Sequence, residues 1–167
     1  MSVNRHQAGF SLFELMAAIA IIMTVASIGV PAYRSYIDTA NMGRVNGAYQ
    51  NAIQSVQSAY IKDTSRITLG LVSDLPTSGE GWVEYLDDGA ALAPGGGPIY
   101  VSLQSGKKGK KDKGSSEPDY GDPDETGAIT IKYDTKNQRV EIKRPEYINL
   151  TAYRARISRD SVEVEEQ

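Results

Sequence analysis

A glycine, a phenylalanine and a glutamate near the start of the chain have types and a spacing that suit two chemical steps. Gly9 and Phe10 join a short polar stretch to a long apolar run, and Glu14 lies five residues after Gly9. Gly9 places no side chain beside the peptide bond, which suits a protease that must seat an extended backbone. Cleavage there would expose an ammonium on Phe10, close in sequence to the Glu14 carboxylate. If the chain is cut there, the spacing favours an ion pair between this ammonium and Glu14.

The apolar run, residues 10–30, contains a single charged residue, Glu14. As a helix it would span roughly 30 Å, the thickness of a bilayer's hydrocarbon core. A carboxylate in such a span costs about 3 kcal/mol or more unless it is neutralised or paired. When helices bundle, Glu14 of one copy can meet the Phe10 ammonium of another, and such a pair is stronger at low dielectric. We therefore expect Glu14 to set the axial register of an assembly.

These residues resemble the processing site of type IV prepilins and of the related pseudopilins of type II secretion. The resemblance covers about the first 35 residues: a polar leader (1–9) ending in Gly9, then Phe10, Glu14 at the fifth mature position, and an apolar transmembrane and assembly helix (10–30). It implies that a membrane aspartyl peptidase cuts between Gly9 and Phe10 and methylates the new amine. Methylation keeps the positive charge, so pairing with Glu14 would survive it.

By this resemblance, the chain is expected to be a structural subunit of a type IV pilus filament, polymerised through its N-terminal helix. The implied partners are other pilin subunits, the prepilin peptidase and methyltransferase, the membrane, and inner-membrane assembly machinery driven by a separate ATPase. The precursor would cross the inner membrane once and later join an extracellular filament, or a periplasmic pseudopilus. No specific nucleic-acid partner is predicted, because the net charge of −3 is too small to indicate one.

The composition argues against several classes of enzyme. The chain has no cysteine, and its one histidine, His6, precedes the predicted cleavage point. A mature protein without either residue has no Cys/His zinc site, Ser-His-Asp triad or Cys-His nucleophile. It also lacks a phosphate-binding G-x-x-x-x-G-K-[ST] loop. We therefore predict a non-enzyme without cofactor or metal, and note that many major pilins carry a cysteine pair absent here.

The helix is expected to continue beyond the apolar run. Gly29 and Pro31 predict a kink or loosened turn, because Pro31 cannot donate to the carbonyl of Ser27. The alternative is that the helix ends here at the membrane surface; the resemblance favours one long helix. Residues 31–66 would form its amphipathic half, ending near 63–66 before a β-like segment at 67–69. The predicted buried face comprises Val45, Ala48, Tyr49, Ala52, Ile53, Val56, Ala59 and Tyr60.

Residues 67–167 are expected to form a globular head. Residues 68–98 are rich in glycine and proline and predict a loop with a short strand near 82–86. Alternating apolar residues predict strands at 99–103, 128–133, 139–143 and 152–157, with a hairpin turn at 134–138 and an acidic, frayed tail at 161–167. The predicted fold class is α+β, a long N-terminal helix packed on a C-terminal antiparallel sheet, as in pilins.

The segment 106–127 is expected to be a solvated loop between strands. Its lysines could contact a polyanion, but neighbouring acids would cancel the field. Asp119, Asp122 and Asp124 could instead ligate calcium, as a loop in major pseudopilins does, although their spacing does not match an EF-hand. The five lysines are Lys107, Lys108, Lys110, Lys111 and Lys113.

Two alternative functions stay open at the level of sequence. The first is a pseudopilin of a type II secretion system, which calcium binding at Asp119 to Asp124 would favour. The second is a membrane-anchored extracytoplasmic binding domain that never polymerises. The sequence does not distinguish a major from a minor subunit, or motility from adhesion, DNA uptake or secretion.

Overall fold

The computed structural model describes residues 10–87, 92–102 and 122–167. The chain divides into two compact units between Thr39 and Ala40. The first unit contains the N-terminal part of helix α1, and the second contains the rest of α1 with all other elements. The elements in chain order are α1 (Leu12–Thr68), α2 (Gly79–Leu86), β1 (Tyr100–Ser102), α3 (Pro123–Thr126), β2 (Ile129–Asp134), β3 (Arg139–Arg144), β4 (Tyr153–Ile157) and β5 (Val162–Glu166).

Helix α1 is a single helix through Gly29 and Pro31, so it does not end at the proline. It ends at Thr68, and the β-like reading of residues 67–69 was wrong. The reason is Gly70, which adopts a positive φ of 77° and closes a Schellman motif. The amide of Gly70 donates to the carbonyl of Ile67, and that of Leu71 donates to the carbonyl of Arg66. These bonds extend the helix to the glycine.

The five strands form one sheet in the order β1-β2-β3-β4-β5. The pairs from β2 to β5 are antiparallel, as predicted, and β4 buries Ala155 and Ile157 while Arg154 and Arg156 lie on its other side. Strand β1 instead pairs with β2 in parallel, so the sheet is mostly rather than wholly antiparallel. A parallel pair needs a long return connection, and the segment between Ser102 and Ile129 is long enough to supply one.

The C-terminal segment is strand β5, so the predicted frayed tail was wrong. Valines alternate with glutamates along β5, and the register places Val164 beside Ala155 of β4 and Glu163 beside Arg156. Apolar neighbours on one face and opposite charges on the other favour pairing over fraying.

The segment around Trp82 is helix α2, not the short strand predicted. The Ser78 hydroxyl accepts a hydrogen bond from the amide of Gly81 at 3.0 Å and caps the first turn. Trp82 and Leu86 are one helical turn apart and pack into the core, where Trp82 is fully buried. Ser78 as a possible N-cap and apolar residues four apart were the signals for a helix.

The head's core lies between the sheet and the second half of α1. The predicted helix face is confirmed: its members are buried, except Ala48, which is partly buried and packs at the edge. The sheet contributes Ile129 and Ile131 from β2 and Val140 and Ile142 from β3, all fully buried. Burial of this apolar face holds the head on α1.

Candidate functional site: the assembly helix and the attachment of the head

The start of α1 is capped by Ser11. Its hydroxyl accepts a hydrogen bond from the amide of Glu14 at 3.2 Å, and its carbonyl accepts from the amide of Leu15. Glu14 thus occupies the third helical position, where a carboxylate also faces the positive end of the helix dipole. Phe10 precedes the helix and is 85 % exposed. Gly9 lies outside the described residues, so Phe10 is the only residue of the predicted cleavage site that the structure describes.

Residues 12–30 of α1 present an exposed helix surface that is apolar except for Glu14, Thr24 and Ser27. Helix α1 is the one candidate membrane span in the described part of the chain, judged by length and composition. An exposed apolar area of this extent is unstable in water, so it requires lipid or other apolar helices around it. The exposed large side chains are Phe10, Leu12, Phe13, Leu15, Met16, Ile19, Ile21, Ile22, Met23, Val25, Ile28 and Val30.

The hydroxyls before Pro31 bond within their own turns. The Thr24 hydroxyl donates to the carbonyl of Ala20 and the Ser27 hydroxyl donates to the carbonyl of Thr24, both at 2.8 Å. Neither hydroxyl donates to the carbonyl of Ser27, which has no helical donor because Pro31 lacks an N–H. A Cβ added at Gly29 would meet no atom within 4 Å. The kink or loosening at Gly29 and Pro31 stays a prediction.

The predicted calcium ligands are not brought together among the described residues. Asp119 and the lysines of 107–113 lie outside them, and nothing is described of the Asp124 side chain. The carbonyl of Asp122 accepts bonds from the amides of Glu125 and Thr126 at the start of α3. Within residues 10–87, 92–102 and 122–167, no group of three or more His, Cys, Asp or Glu side chains could hold a metal ion.

The C-terminal end of α1 is attached to the turn between β4 and β5 by an ion pair whose carboxylate is buried. Asp63 is 2 % exposed, and its Oδ2 accepts a hydrogen bond from the Arg159 guanidinium at 2.5 Å. The amide of Asp74 donates to its Oδ1 at 3.3 Å. Burial raises the pKa of Asp63, but the hydrogen bonds from Ser73 and Asp74 and the charge of Arg159 together hold that pKa below its usual value.

One helical turn earlier, Tyr60 adds a second bond to the sheet. Its hydroxyl donates to the carbonyl of Gln138, in the β2–β3 turn, at 3.0 Å. Burial raises the pKa of Tyr60 to about 12, so the hydroxyl keeps its proton and remains a donor at neutral pH. The ring also packs 5.8 Å from that of Trp82, which links α1 to α2.

At the other end of the head, Arg144 attaches β3 to α1. It is 6 % exposed and donates to the Asn46 side-chain oxygen and, at 2.8 Å, to the carbonyl of Thr151. Its guanidinium carbon lies 4.7 Å from the ring centroid of Tyr153 and 5.5 Å from that of Tyr49. Two aromatic faces and two oxygens thus stabilise this buried cation.

The lowered pKa of Asp63 predicts a pH-dependent contribution to stability. A carboxyl with a folded pKa below its unfolded pKa stabilises the fold above the unfolded value, and this contribution is lost as pH falls through the folded value. We expect the difference in unfolding free energy between wild type and Asp63→Asn to be largest above about pH 5 and to shrink below about pH 4. Denaturant titrations followed by Trp82 fluorescence would measure it.

The matched control is Asp74→Asn, which changes a mostly exposed carboxylate 3.9 Å from Arg66. It should leave the pH dependence of stability close to that of wild type. A gap between wild type and Asp63→Asn that stayed constant from neutral to acidic pH would contradict the assignment.

Comparison with known proteins starts at the N-terminus. The family model for the prokaryotic N-terminal methylation motif matches residues 4–30. The type IV major alpha-pilin of Moraxella bovis is 36 % identical over 77 residues, which are 40 % of this chain and 48 % of that protein. Fimbrial protein Q of Moraxella bovis is 31 % identical over 118 residues, 64 % of this chain and 73 % of that protein. The chain belongs to the type IV pilin family.

A third type IV pilin relative extends the similarity to another organism. The type IV major fimbrial protein FimA of Dichelobacter nodosus is 27 % identical over 100 residues, 59 % of this chain and 62 % of that protein. The chain thus spans about half the length of the alpha-pilin and a larger share of the length of the other two relatives. All three relatives are named as pilins or fimbrial proteins. No solved structure matches this pilin family member significantly.

Sequence reasoning missed the cap of α1 and the residues that hold the pilin head to this helix. For the cap a signal was available, because Ser-Leu-Phe-Glu at residues 11–14 is a capping-box pattern. For Asp63 a signal was also available, because this carboxylate follows Ala59 and Tyr60 on the predicted apolar face and so occupies a buried position. Arg144 had no such signal, because its two aromatic neighbours and two oxygens come from two segments, one in α1 and one at the start of β4.

Proposed function

We propose that this chain is a structural subunit of a type IV pilus filament and not an enzyme. The observation that carries the proposal is the first part of α1, which exposes every large apolar side chain between residues 10 and 30 and carries Glu14 in its first turn. Such a helix can exchange lipid for neighbouring helices at little cost, since both surroundings are apolar. Association then depends on close packing and polar contacts, which the small side chains Ala17, Ala18, Ala20 and Ala26 favour.

The proposed maturation follows from the methylation motif. A prepilin peptidase cuts between Gly9 and Phe10 and methylates the Phe10 amine while the precursor, with its leader 1–9, spans the inner membrane through residues 10–30. Amphipathic residues 31–66 and the head 67–167 lie outside the cytoplasm. Assembly machinery driven by a separate ATPase then draws the helix into an extracellular filament, where Glu14 of one copy pairs with the Phe10 ammonium of another.

Two measurements test the proposal together. Mass spectrometry of the mature protein should find N-methyl-phenylalanine from Phe10 at its first position, and electron microscopy should show filaments that react with an antibody to the head. A mature chain that still began at Met1 would overturn the proposal. Processed protein that formed no filament would support a membrane-anchored binding domain instead, and short periplasmic assemblies dependent on secretion genes would support a pseudopilin.

A bulky residue at Gly9 is expected to block maturation. In Gly9→Leu the side chain would collide with a peptidase that seats the bond in an extended conformation, so most of the protein should remain uncleaved. Gly29→Ala is the control, because a Cβ there meets no atom within 4 Å. Gel mobility and N-terminal mass spectra would separate precursor from mature protein. Normal cleavage of Gly9→Leu would place the processing site elsewhere.

A further inference from the structure

The turn between β3 and β4 holds an exposed isoleucine in a strained backbone conformation. Tyr147 and Leu150 exchange two backbone hydrogen bonds, of 3.2 and 2.9 Å, so Ile148 and Asn149 form a two-residue turn. Such a turn needs a positive φ at its first central residue, which glycine, asparagine or aspartate normally supplies. Ile148 takes that position with a φ of 56°, which is unfavourable for a β-branched residue, and it is 45 % exposed. A strained and exposed isoleucine indicates a role outside the folded head.

Ile148 lies at the end of the head that contains the start of its helix segment. The turn follows Arg144, which donates to the side-chain oxygen of Asn46. Leu92 lies at the same end, because its carbonyl accepts a hydrogen bond from the Arg44 guanidinium at 2.7 Å, and it is 60 % exposed. Ile148 and Leu92 are called the base patch below.

The opposite end of the head carries a second group of exposed aliphatic side chains. In the Schellman motif that ends α1, Leu71 occupies the position that normally packs on an apolar side chain in the last helical turn. The residues available there are Ser65 and Arg66, so Leu71 lacks that apolar partner. The group is called the tip patch below, and its members are between 43 % and 84 % exposed: Ile67, Leu69, Leu71 and Val72.

Exposed apolar groups at two ends of one head indicate a contact between copies. Asn46, beside the base patch, and Ile67, in the tip patch, are about 32 Å apart along the helix axis. Copies inserted into a membrane in one orientation keep their α1 helices parallel, so opposite ends of different subunits can meet. A contact between two different patches extends into an open polymer, whereas a patch that pairs with itself closes a dimer. A filament requires the first kind.

We infer that the base patch of one subunit docks on the tip patch of another subunit along the filament. The inference rests on the proposed function, and it adds an axial contact between heads to the contact between helices. It needs an axial offset of about 32 Å between the two subunits, whereas pairing of Glu14 with Phe10 of a neighbour needs about 6 Å. The two contacts therefore join different pairs of subunits.

Ile148→Gly separates this role from a structural one. Glycine adopts a positive φ without strain, so the midpoint temperature of thermal unfolding, followed by Trp82 fluorescence in detergent, should rise by about 3 °C. Filament yield should nevertheless fall by about tenfold, because each subunit loses an apolar contact. A fall in stability together with yield would assign Ile148 to the packing of its own head and overturn the inference.

Gln138→Gly is the matched control. Gln138 has a φ of 49° in the β2–β3 turn, so glycine relieves the same kind of strain there without removing an apolar side chain, and the carbonyl that accepts from Tyr60 is retained. Its stability should also rise, and its filament yield should stay within about twofold of wild type. Equal losses of yield in both variants would show that turn rigidity governs assembly, which would contradict a contact made by Ile148.

Cysteine crosslinking tests the contact directly, because the chain has no cysteine of its own. Subunits carrying Ile148→Cys and subunits carrying Val72→Cys are expressed together, and intact filaments are oxidised and run on a non-reducing gel. A disulfide forms only between Cα atoms within about 7 Å, so we expect a linked dimer that requires both variants. The control pairs Ile148→Cys with Val164→Cys, an exposed valine on β5, and should give little dimer.

The outcomes separate this contact from the function on which it rests. Filaments with no dimer above the control would overturn the contact alone. A dimer formed by Val72→Cys alone would show that tip patches pair with each other, and a dimer with Val164→Cys would place Ile148 on the sheet edge; either would also overturn it. Absence of filaments from the wild-type chain would overturn the proposed function and the contact with it.

Discussion

Filaments of a Glu14→Gln chain are expected to be at least about tenfold scarcer than those of the wild type, although insertion and cleavage after Gly9 proceed normally. Glutamine retains the shape of the side chain and its capacity to cap the helix, but it cannot pair with a Phe10 ammonium. At low dielectric the loss of one partner leaves the other charge uncompensated, which costs about 3 kcal/mol or more per subunit contact. Quantitative immunoblots of sheared filaments, set against total processed subunit, would measure the loss.

Ser11→Ala is the matched control for this experiment. It removes the hydroxyl that accepts from the Glu14 amide, a capping bond worth about 1 kcal/mol, and leaves the carboxylate in place. Filament yield should therefore stay within about twofold of wild type. Equal losses in both variants would show that Glu14 acts through helix capping, and normal yield from Glu14→Gln would contradict a role for its charge in assembly.

Arg144→Ala is expected to destabilise the head by about 3 kcal/mol. The change leaves the Asn46 side-chain oxygen and the Thr151 carbonyl without their donor, and it removes the cation between the rings of Tyr49 and Tyr153. Trp82 is the only tryptophan and is fully buried, so its fluorescence reports unfolding of the head. The midpoint temperature of thermal unfolding, measured on the full chain in detergent, should fall by about 10 °C.

The control for Arg144 is Arg154→Ala, in the middle of the outer sheet face. Arg154 lies 3.3 Å from Glu141 but is partly exposed, so water can replace its contacts. A partly exposed pair of this kind contributes about 1 kcal/mol. A loss for Arg144→Ala no larger than for Arg154→Ala would contradict the role of Arg144 as an anchor of the head. Arg144→Lys should recover only part of the stability, because one ammonium cannot span both oxygens and both rings.

The parts of this fold that were predictable are those in which one periodic pattern covers a whole element. The helix face from Val45 to Tyr60 and the alternation in β4 have this property, and both were confirmed. The errors fell where a short local signal competed with composition. Ser78 and Trp82 specify helix α2 within a glycine- and proline-rich stretch, and Gly70 extends α1 past β-branched residues.

The attachment of the head to α1 was only partly predictable, for a different reason. The apolar face and the Gly9, Phe10 and Glu14 pattern are local in sequence, but the pairing of Asp63 with Arg159 joins residues that a sequence pattern does not connect. The parallel placement of β1 likewise depends on where a long connection returns to the sheet. Neither is encoded by spacing along the chain.

The two anchors of the head have a mechanical consequence. Asn46, which contacts Arg144, and Asp63, which contacts Arg159, are separated by about 26 Å along the helix axis. Tension applied along α1 would load both attachments in shear, so they would have to fail together instead of opening one after the other. A head attached at both points resists detachment from α1 when the helix is pulled.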